Sequence, residues 1–310
     1  MKTMLIWLYD NMTMVRSYCL AEEQLNVLKN KYSNRYKIIN VLTQDDFLRQ
    51  LPQANVVLTW SFETKWYELS DELELIITPS AGSDWIQQDP ERKIKVIHGA
   101  FHGRIIRESL LSMMLYFNNM IELTFENQKN RIWNKDCYSD IKKLFSQTVI
   151  IIGYGAIGRS CAELLKSFGC KIIGVKRTPR NIKLDLNADK IIKFQELNQY
   201  LPVADQVVAF LPSCPETNGI IKIDHFKLMK KEAYFYNFGR GNCYTESNLI
   251  LAVREKMIKG AGLDVFAKEP LSKSSPLWNL PNVIIMPHAS GISSEHMTLF
   301  VNEVLELNLL

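Results

Sequence analysis

Thr148-Val-Ile-Ile-Ile-Gly153-Tyr154-Gly155-Ala156-Ile157-Gly158-Arg159 is the stretch that decides the fold. Five strand-forming residues, four of them aliphatic, run into Gly-x-Gly-x-x-Gly. An amphipathic run (Cys161, Leu164, Leu165, Phe168) then closes on Gly169. That order reads as strand, tight turn and helix, with glycine where a helix end wants a left-handed residue. Gly153 makes the turn, Gly155 lets backbone approach a pyrophosphate, and Gly158 lets the helix pack closely on its strand. The helix start at Ala156 and Ile157 offers N–H groups and a positive dipole end to an anion. Glycine loops alone are weak evidence. The strand before, the helix after and a second strand at Lys171–Val175 make this a dinucleotide-binding βαβ unit.

Working outward, 310 residues allow two domains of ordinary size. Hydrophobic content of 47% beside 23% charged residues belongs to a folded chain. The net charge of +4 is mild and the basic residues are spread, so no nucleic-acid partner is expected. Six cysteines without Cys-x-x-Cys spacing suit buried thiols in a reducing cytosol better than disulfides or a metal site. The apolar run Met4–Tyr9 is stopped by Asp10, which predicts a first strand and not a leader. No segment approaches the roughly 20 apolar residues of a bilayer span, so a soluble, cytoplasmic protein without a membrane partner is expected.

Residues 1 to about 100 alternate strands with helices. Met4–Tyr9, Tyr36–Val41, Val56–Thr59, Leu75–Thr78 and Lys95–His98 read as strands; Ala21–Lys29 and Asp45–Leu51 read as helices. This predicts a small doubly wound α/β unit, with the turn Thr78-Pro-Ser-Ala81-Gly82-Ser83-Asp84 beyond a strand C-terminus, where such sheets place ligands. Arg104 to Trp133 reads as apolar helix, buried on several sides at an interdomain or subunit interface. The second unit continues with strands at Gln206–Phe210, Ala233–Asn237, Ala261–Asp264 and Val283–Met286. Asp224 and Thr245 are predicted N-caps, the second helix stopping near Gly260. A last helix is expected from Ser293 to about Leu307.

The second strand of a dinucleotide unit usually ends in a carboxylate for the adenosine ribose. Here Lys176, Arg177 and Thr178 stand in its place, which favours a 2′-phosphate and hence NADPH over NADH. Three later strands end in polar residues on the same sheet edge. They are Asn237-Phe238-Gly239-Arg240-Gly241, Asp264-Val-Phe-Ala-Lys-Glu269-Pro270 and Pro287-His288-Ala-Ser-Gly291. An Arg between glycines is poorly placed for packing and well placed to fork onto a carboxylate. An Arg, a Glu and a His beside a nicotinamide site form a hydride-transfer constellation.

On these residues the chain resembles the D-isomer-specific 2-hydroxyacid dehydrogenase family. The glycine loop, Leu211-Pro-Ser-Cys-Pro-Glu-Thr217, the Arg240, Glu269 and His288 segments, and Pro276-Leu-Trp-Asn-Leu-Pro-Asn-Val-Ile-Ile-Met-Pro-His288 match in order. Coverage is good from about Arg104 onward; before it, Ser80-Ala81-Gly82-Ser83-Asp84 carries the match. The resemblance implies two doubly wound parallel-sheet α/β domains. One is a flavodoxin-like substrate domain (1–100 and 288–310), the other a Rossmann dinucleotide-binding domain (101–287).

It also implies roles. Arg240 would bind the substrate carboxylate and polarise its 2-oxo group. His288 would be the acid–base, with Glu269 orienting the imidazole and raising its pKa. Ala81 and Gly82 would hold the carboxylate through backbone N–H groups. Asp264 would face the nicotinamide amide, and Leu211, Pro212 and Phe238 would line the cofactor site. Phe101, His102 and the segment around Tyr138 are candidates for the side-chain pocket. The basic turn resembles the NADPH-using glyoxylate/hydroxypyruvate reductase-like branch, and the expected reaction reduces a small 2-oxo acid to a D-2-hydroxy acid. An NAD-dependent dehydrogenase and a dinucleotide-sensing interaction protein are the alternatives. The chain ends soon after the matched core, which weighs against a phosphoglycerate dehydrogenase with a regulatory domain. Glu269 weighs against formate dehydrogenase, where a Gln is expected. A homodimer through the 104–133 helical region is expected.

Overall fold

The computed structural model describes residues 1–8, 16–82, 84–139, 141–178, 185–307 and 309. In chain order it runs β1 (Lys2–Trp7), α1 (Glu22–Tyr32), β2 (Tyr36–Asn40), α2 (Gln44–Gln50), β3 (Val56–Thr59), β4 (Leu75–Thr78), β5 (Lys95–His98), α3 (His102–Asn118) and α4 (Ile121–Lys129). It continues with β6 (Thr148–Ile152), α5 (Ala156–Ser167), β7 (Lys171–Lys176), β8 (Lys190–Lys193), α6 (Leu197–Tyr200), β9 (Gln206–Ala209), α7 (Ile223–Leu228), β10 (Tyr234–Asn237), α8 (Glu246–Arg254), β11 (Gly260–Leu263), β12 (Val283–Ile285) and α9 (His296–Glu306). Two compact units result: Met1–His102 with Ile292–Leu310, and Gly103–Gly291.

The first unit holds a parallel sheet in the order β2-β1-β3-β4-β5, the doubly wound arrangement in which the chain reverses beside its first strand. Leu5, Val57 and Ile76 face Phe47, Phe62 and Trp66 in one core layer. The C-terminal helix returns to this unit because α1 receives it. The Tyr32 hydroxyl donates to Val304 O at 2.6 Å, and Gln24 Nε2 donates to Thr298 Oγ1 at 2.9 Å. The first strand starts earlier than expected and ends at Trp7; Tyr9 lies outside the described residues.

The second unit is a seven-stranded parallel sheet, β12-β11-β10-β9-β6-β7-β8. Its central strands are buried except at Thr148, as near-continuous aliphatic runs require. From β6 the chain steps outward to β7 and β8, then jumps back to place β9 on the other side of β6. That reversal puts the β6 C-terminus at the switch point of the sheet. Gly103 of α3 faces α5, where a Cβ would lie 2.6 Å from Ser160 Cβ.

Several expectations are corrected. The run 104–133 is two helices, because Asn119 folds its side chain onto Leu115 O and Met120 takes a left-handed backbone (φ 53°). Only Ile106, Leu110, Met113 and Met114 of its long side chains are fully buried, and Phe125 stands out in solvent. Asp224 lies inside the first turn of α7. Lys222 occupies the cap, its N–H donating to His225 Nδ1 at 2.9 Å. Helix α8 stops at Arg254, six residues before Gly260, as Lys256 turns left-handed (φ 53°). The last helix starts at His296, later than Ser293. Strand β8 was not anticipated. The units divide two residues after 100 at the first crossing, and Gly291 ends the second unit beyond the expected 287. The cause is local: His102 stacks on Phe101 at 4.2 Å, and the His288 segment is bonded to Asp264.

In the first unit the His102 ring lies 5.3 Å from the His296 ring, in a cage with Phe101; Tyr18 and Trp60 close on His296. Burial, with His296 adding to it, pushes the His102 pKa down to about 4. A depressed imidazole pKa contributes stability that is complete above the unfolded value near 6.5 and is lost as pH falls toward 4, roughly 3 kcal/mol at the acid limit. Urea unfolding between pH 7.5 and 4 should therefore show steep acid destabilisation, and His102→Asn should shrink the pH slope by about one proton. An unchanged slope would contradict this assignment.

Candidate active site

All seven strands of the second unit are parallel, so their C-terminal ends share one edge. Along that edge come, in order, the basic turn after β7, the glycine loop after β6, Leu211 after β9, Arg240 after β10, Asp264 and Glu269 after β11, and His288 after β12. The basic turn and His288 are five strand spacings apart, ~24 Å at about 4.8 Å each.

The glycine loop fits a dinucleotide on its own geometry. Gly153 has φ 90°, and a Cβ there would strike Phe210 O at 2.5 Å. A Cβ on Gly158 would meet Gly153 O at 2.8 Å, so the helix sits tight on its strand. Gly155 is the reverse case: a Cβ there would meet no atom within 4 Å. Its glycine serves the space outside the protein, where a pyrophosphate would approach the backbone and the first turn of α5. Tyr154 turns inward, its ring beneath Gly174 and its hydroxyl donating to Asp185 Oδ1 at 3.2 Å. Lys176 is half-buried at the strand end while Arg177 and Thr178 are exposed; Arg180 lies outside the described residues.

Arg240 is placed by its neighbours. Asn237, fully buried, folds its side chain back: its Nδ2 donates to Arg240 O at 3.1 Å and its Oδ1 accepts from Gly239 N at 3.1 Å. The flanking glycines allow backbone to touch backbone. A Cβ on Gly239 would sit 2.4 Å from Leu211 O, and one on Gly241 would sit 1.9 Å from Phe266 C. Three adjacent strand-end loops thereby interlock around Arg240. Asn242 adds a tie, its Nδ2 donating to Ser213 Oγ at 3.0 Å.

Glu269 divides its carboxylate. One oxygen accepts from Phe266 N at 2.9 Å and fixes its own loop; the other meets His288 Nδ1 at 2.8 Å. A carboxylate bond at Nδ1 requires a proton there, which leaves Nε2 as the nitrogen that gives or takes a proton from a ligand. The His288 side chain is 46% exposed. His288 also has a left-handed backbone (φ 50°), and its N–H donates to Asp264 O at 2.8 Å.

Asp264 is only 1% exposed, and both carboxylate oxygens are taken by the His288 segment. Oδ1 accepts from Ala289 N at 2.8 Å and Ser290 N at 3.1 Å; Oδ2 accepts from the Ser290 hydroxyl. Burial pushes its pKa up despite these bonds. Leu211 and Phe238 lie on neighbouring strand ends, the Phe210 and Phe238 rings 6.2 Å apart. In the first unit, Ala81 and Gly82 follow β4, and the Gly82 N–H donates to Ser80 Oγ at 3.2 Å. Phe101 and His102 belong to the aromatic cage of that unit. Tyr138 accepts from Asn127 Nδ2 at 3.3 Å in the second.

Sequence reasoning passed over Asn237, Asn242 and Ser290. Asn-x-Gly before the arginine was a readable sign of a side-chain-bonded turn. Among the described residues no cluster of His, Cys, Asp or Glu could hold a metal, and no helix is long and apolar enough to cross a membrane. Gly241→Ala should cost about 3 kcal/mol in urea unfolding, because the loops cannot separate without losing the strand-end contacts. A variant as stable as the parent would contradict the interlocking.

The family model for D-isomer specific 2-hydroxyacid dehydrogenase, NAD binding domain, matches residues 111–290, more than half of the chain. A D-3-phosphoglycerate dehydrogenase of Methanocaldococcus jannaschii is 28% identical over 89% of this chain and 52% of its own length. A glyoxylate/hydroxypyruvate reductase A of Photorhabdus laumondii is 28% identical over 62% of this chain and 59% of its own. The chain thus spans little more than half the length of these two relatives. A probable 2-hydroxyacid dehydrogenase from Rhizobium etli, solved in complex with NADP, HEPES and L(+)-tartaric acid, superposes with a TM-score of 0.77 at 26% identity, covering 98% of this chain and 92% of that one. With the glycine loop, the Arg240 turn and the Glu269–His288 pair on one sheet edge, the chain belongs to the D-isomer specific 2-hydroxyacid dehydrogenase family.

Proposed function

We propose that this protein is a reductase that uses NADPH to convert a small 2-oxo acid to the D-2-hydroxy acid, reversibly. The observation that carries the reading is the Glu269–His288 pair at 2.8 Å on the same strand-end edge as Arg240 and the glycine loop. A bound nicotinamide would supply the hydride at C4. Gly153, Gly155, Ala156, Ile157 and Gly158 would hold its pyrophosphate, and Leu211, Pro212 and Phe238 would border the ring. The residues of the chain do the rest. The Arg240 guanidinium grips the substrate carboxylate and draws electron density from the 2-oxo group. His288 delivers a proton from Nε2 to that oxygen as it becomes an alkoxide, while Glu269 stabilises the imidazolium through Nδ1. In the reverse direction the same nitrogen takes the hydroxyl proton. Ala81 is proposed to offer its backbone N–H to the carboxylate, whereas the Gly82 N–H is already engaged by Ser80 Oγ.

The preference for NADPH rests on Lys176, Arg177 and Thr178, which place two cations and a hydroxyl where a ribose-binding carboxylate would repel a 2′-phosphate. The Rhizobium etli relative with NADP bound supports the same choice. Initial rates of NADPH and NADH oxidation with glyoxylate, hydroxypyruvate, pyruvate and 2-oxoisocaproate test both parts. Turnover with at least one acid, and a kcat/KM at least ~10-fold higher with NADPH, is expected. Arg177→Ala should raise KM for NADPH ~10-fold and leave NADH nearly unchanged. Silence with every acid would refute the reductase reading; preference for NADH would refute only the reading of the basic turn.

We also propose a homodimer through the 104–133 region. Phe125 (63% exposed), Ile132 (52%) and Trp133 (93%) are large apolar side chains there that a monomer would leave in water. Sedimentation at micromolar concentration should give twice the chain mass of 35.8 kDa, and Trp133→Glu should shift it toward the monomer. A wild-type protein sedimenting as a monomer would overturn this.

A further inference from the structure

The His288 backbone sits in a left-handed conformation (φ 50°) that a residue with a side chain rarely takes. Something must hold it there. His288 N donates to Asp264 O at 2.8 Å, which fixes the start of the turn. On its far side the Asp264 carboxylate accepts from Ala289 N at 2.8 Å and Ser290 N at 3.1 Å on one oxygen. The other oxygen has the Ser290 hydroxyl. Ser290 is 3% exposed, and its carbonyl accepts from Ser109 Oγ at 3.3 Å. Each polar group of Ser290 is therefore committed: N–H and hydroxyl to Asp264, carbonyl to α3.

We propose that Ser290 is a positioning residue for His288, its hydroxyl holding the Asp264 carboxylate in the orientation that shapes the loop and presents the imidazole. Without that donor a buried carboxylate oxygen would be left unpaired, which costs more than the bond itself contributed. The carboxyl would relieve this by taking a proton or turning. Either response weakens the two N–H bonds that shape the loop and lets His288 relax from its left-handed turn. Burial already pushes the Asp264 pKa up, with the Ser290 hydroxyl foremost among the groups that oppose it. The hydrogen bonds of Ser290 go to Asp264 and Ser109, and the His288 ring bonds to Glu269 through Nδ1.

The inference rests on the reductase reading, and the test separates the two. Ser290→Ala and Ser290→Thr are compared with the parent protein for kcat, for KM of NADPH and for the ¹⁵N shifts of the His288 ring. Alanine should lower kcat ~10-fold or more while KM for NADPH stays within about two-fold, since a small misplacement of a reacting group acts on the transition state. The His288 ring signals should move, and threonine, which keeps the hydroxyl, should recover most of both. A kcat within about two-fold of the parent, unmoved ring signals, or a threonine variant as impaired as alanine would overturn the assignment. If alanine does not fold, Ser290→Cys, with similar bulk and a weak donor, is read by the same measurements. A parent protein silent with every 2-oxo acid refutes the reductase reading, and the ring signals then decide the role of Ser290.

Discussion

Backbone contact between loops, made through glycine, is the constraint on which this site depends. Gly239 presses on Leu211 and Gly241 on Phe266, at distances that no side chain would permit. The loops after β9, β10 and β11 are consequently one packed layer with Arg240 in its middle, its Nη1 donating to Gly239 O at 3.0 Å. A parallel sheet supplies the alignment, since every strand ends on the same edge, and glycine supplies the closeness. Neither is sufficient alone: parallel strands with ordinary loops would spread the polar residues apart.

The second cost borne by the fold is concentrated at the end of the same sheet. Asp264 is buried against its own preference for water, and His288 holds a left-handed backbone. Both features are unfavourable singly, and they are coupled through bonds between the carboxylate and the segment 288–290. Glu269 has the same dual character, with one oxygen fixing Phe266 N and the other directing the imidazole. Strain and buried charge of this kind gather where a reacting group must be held in one orientation.

Much of this was legible in the sequence because the chemistry is local. The glycine loop carries its own strand and helix, and Arg240, Glu269 and His288 each lie just beyond an apolar run that can only be a buried strand. What was not legible depends on contacts across the chain. Asp264 and Ser290 are 26 positions apart, and nothing in Ala289-Ser290-Gly291 announces that the hydroxyl faces a carboxylate. Strand β8 escaped notice because Lys-Ile-Ile-Lys has two apolar residues and no alternation, as suits an edge guarded by lysines. The break at Met120 was hidden by apolar periodicity that continues through it. A helix end set by one left-handed residue leaves almost no compositional trace.

Direct hydride transfer is the central claim, and isotope tracing tests it most directly. NADPH deuterated at nicotinamide C4 on the transferred face, incubated with the purified protein and a turned-over 2-oxo acid, should give a D-2-hydroxy acid carrying one deuterium at C2. A product without deuterium from NADPH deuterated on either face, or one of L configuration, would contradict the reductase reading.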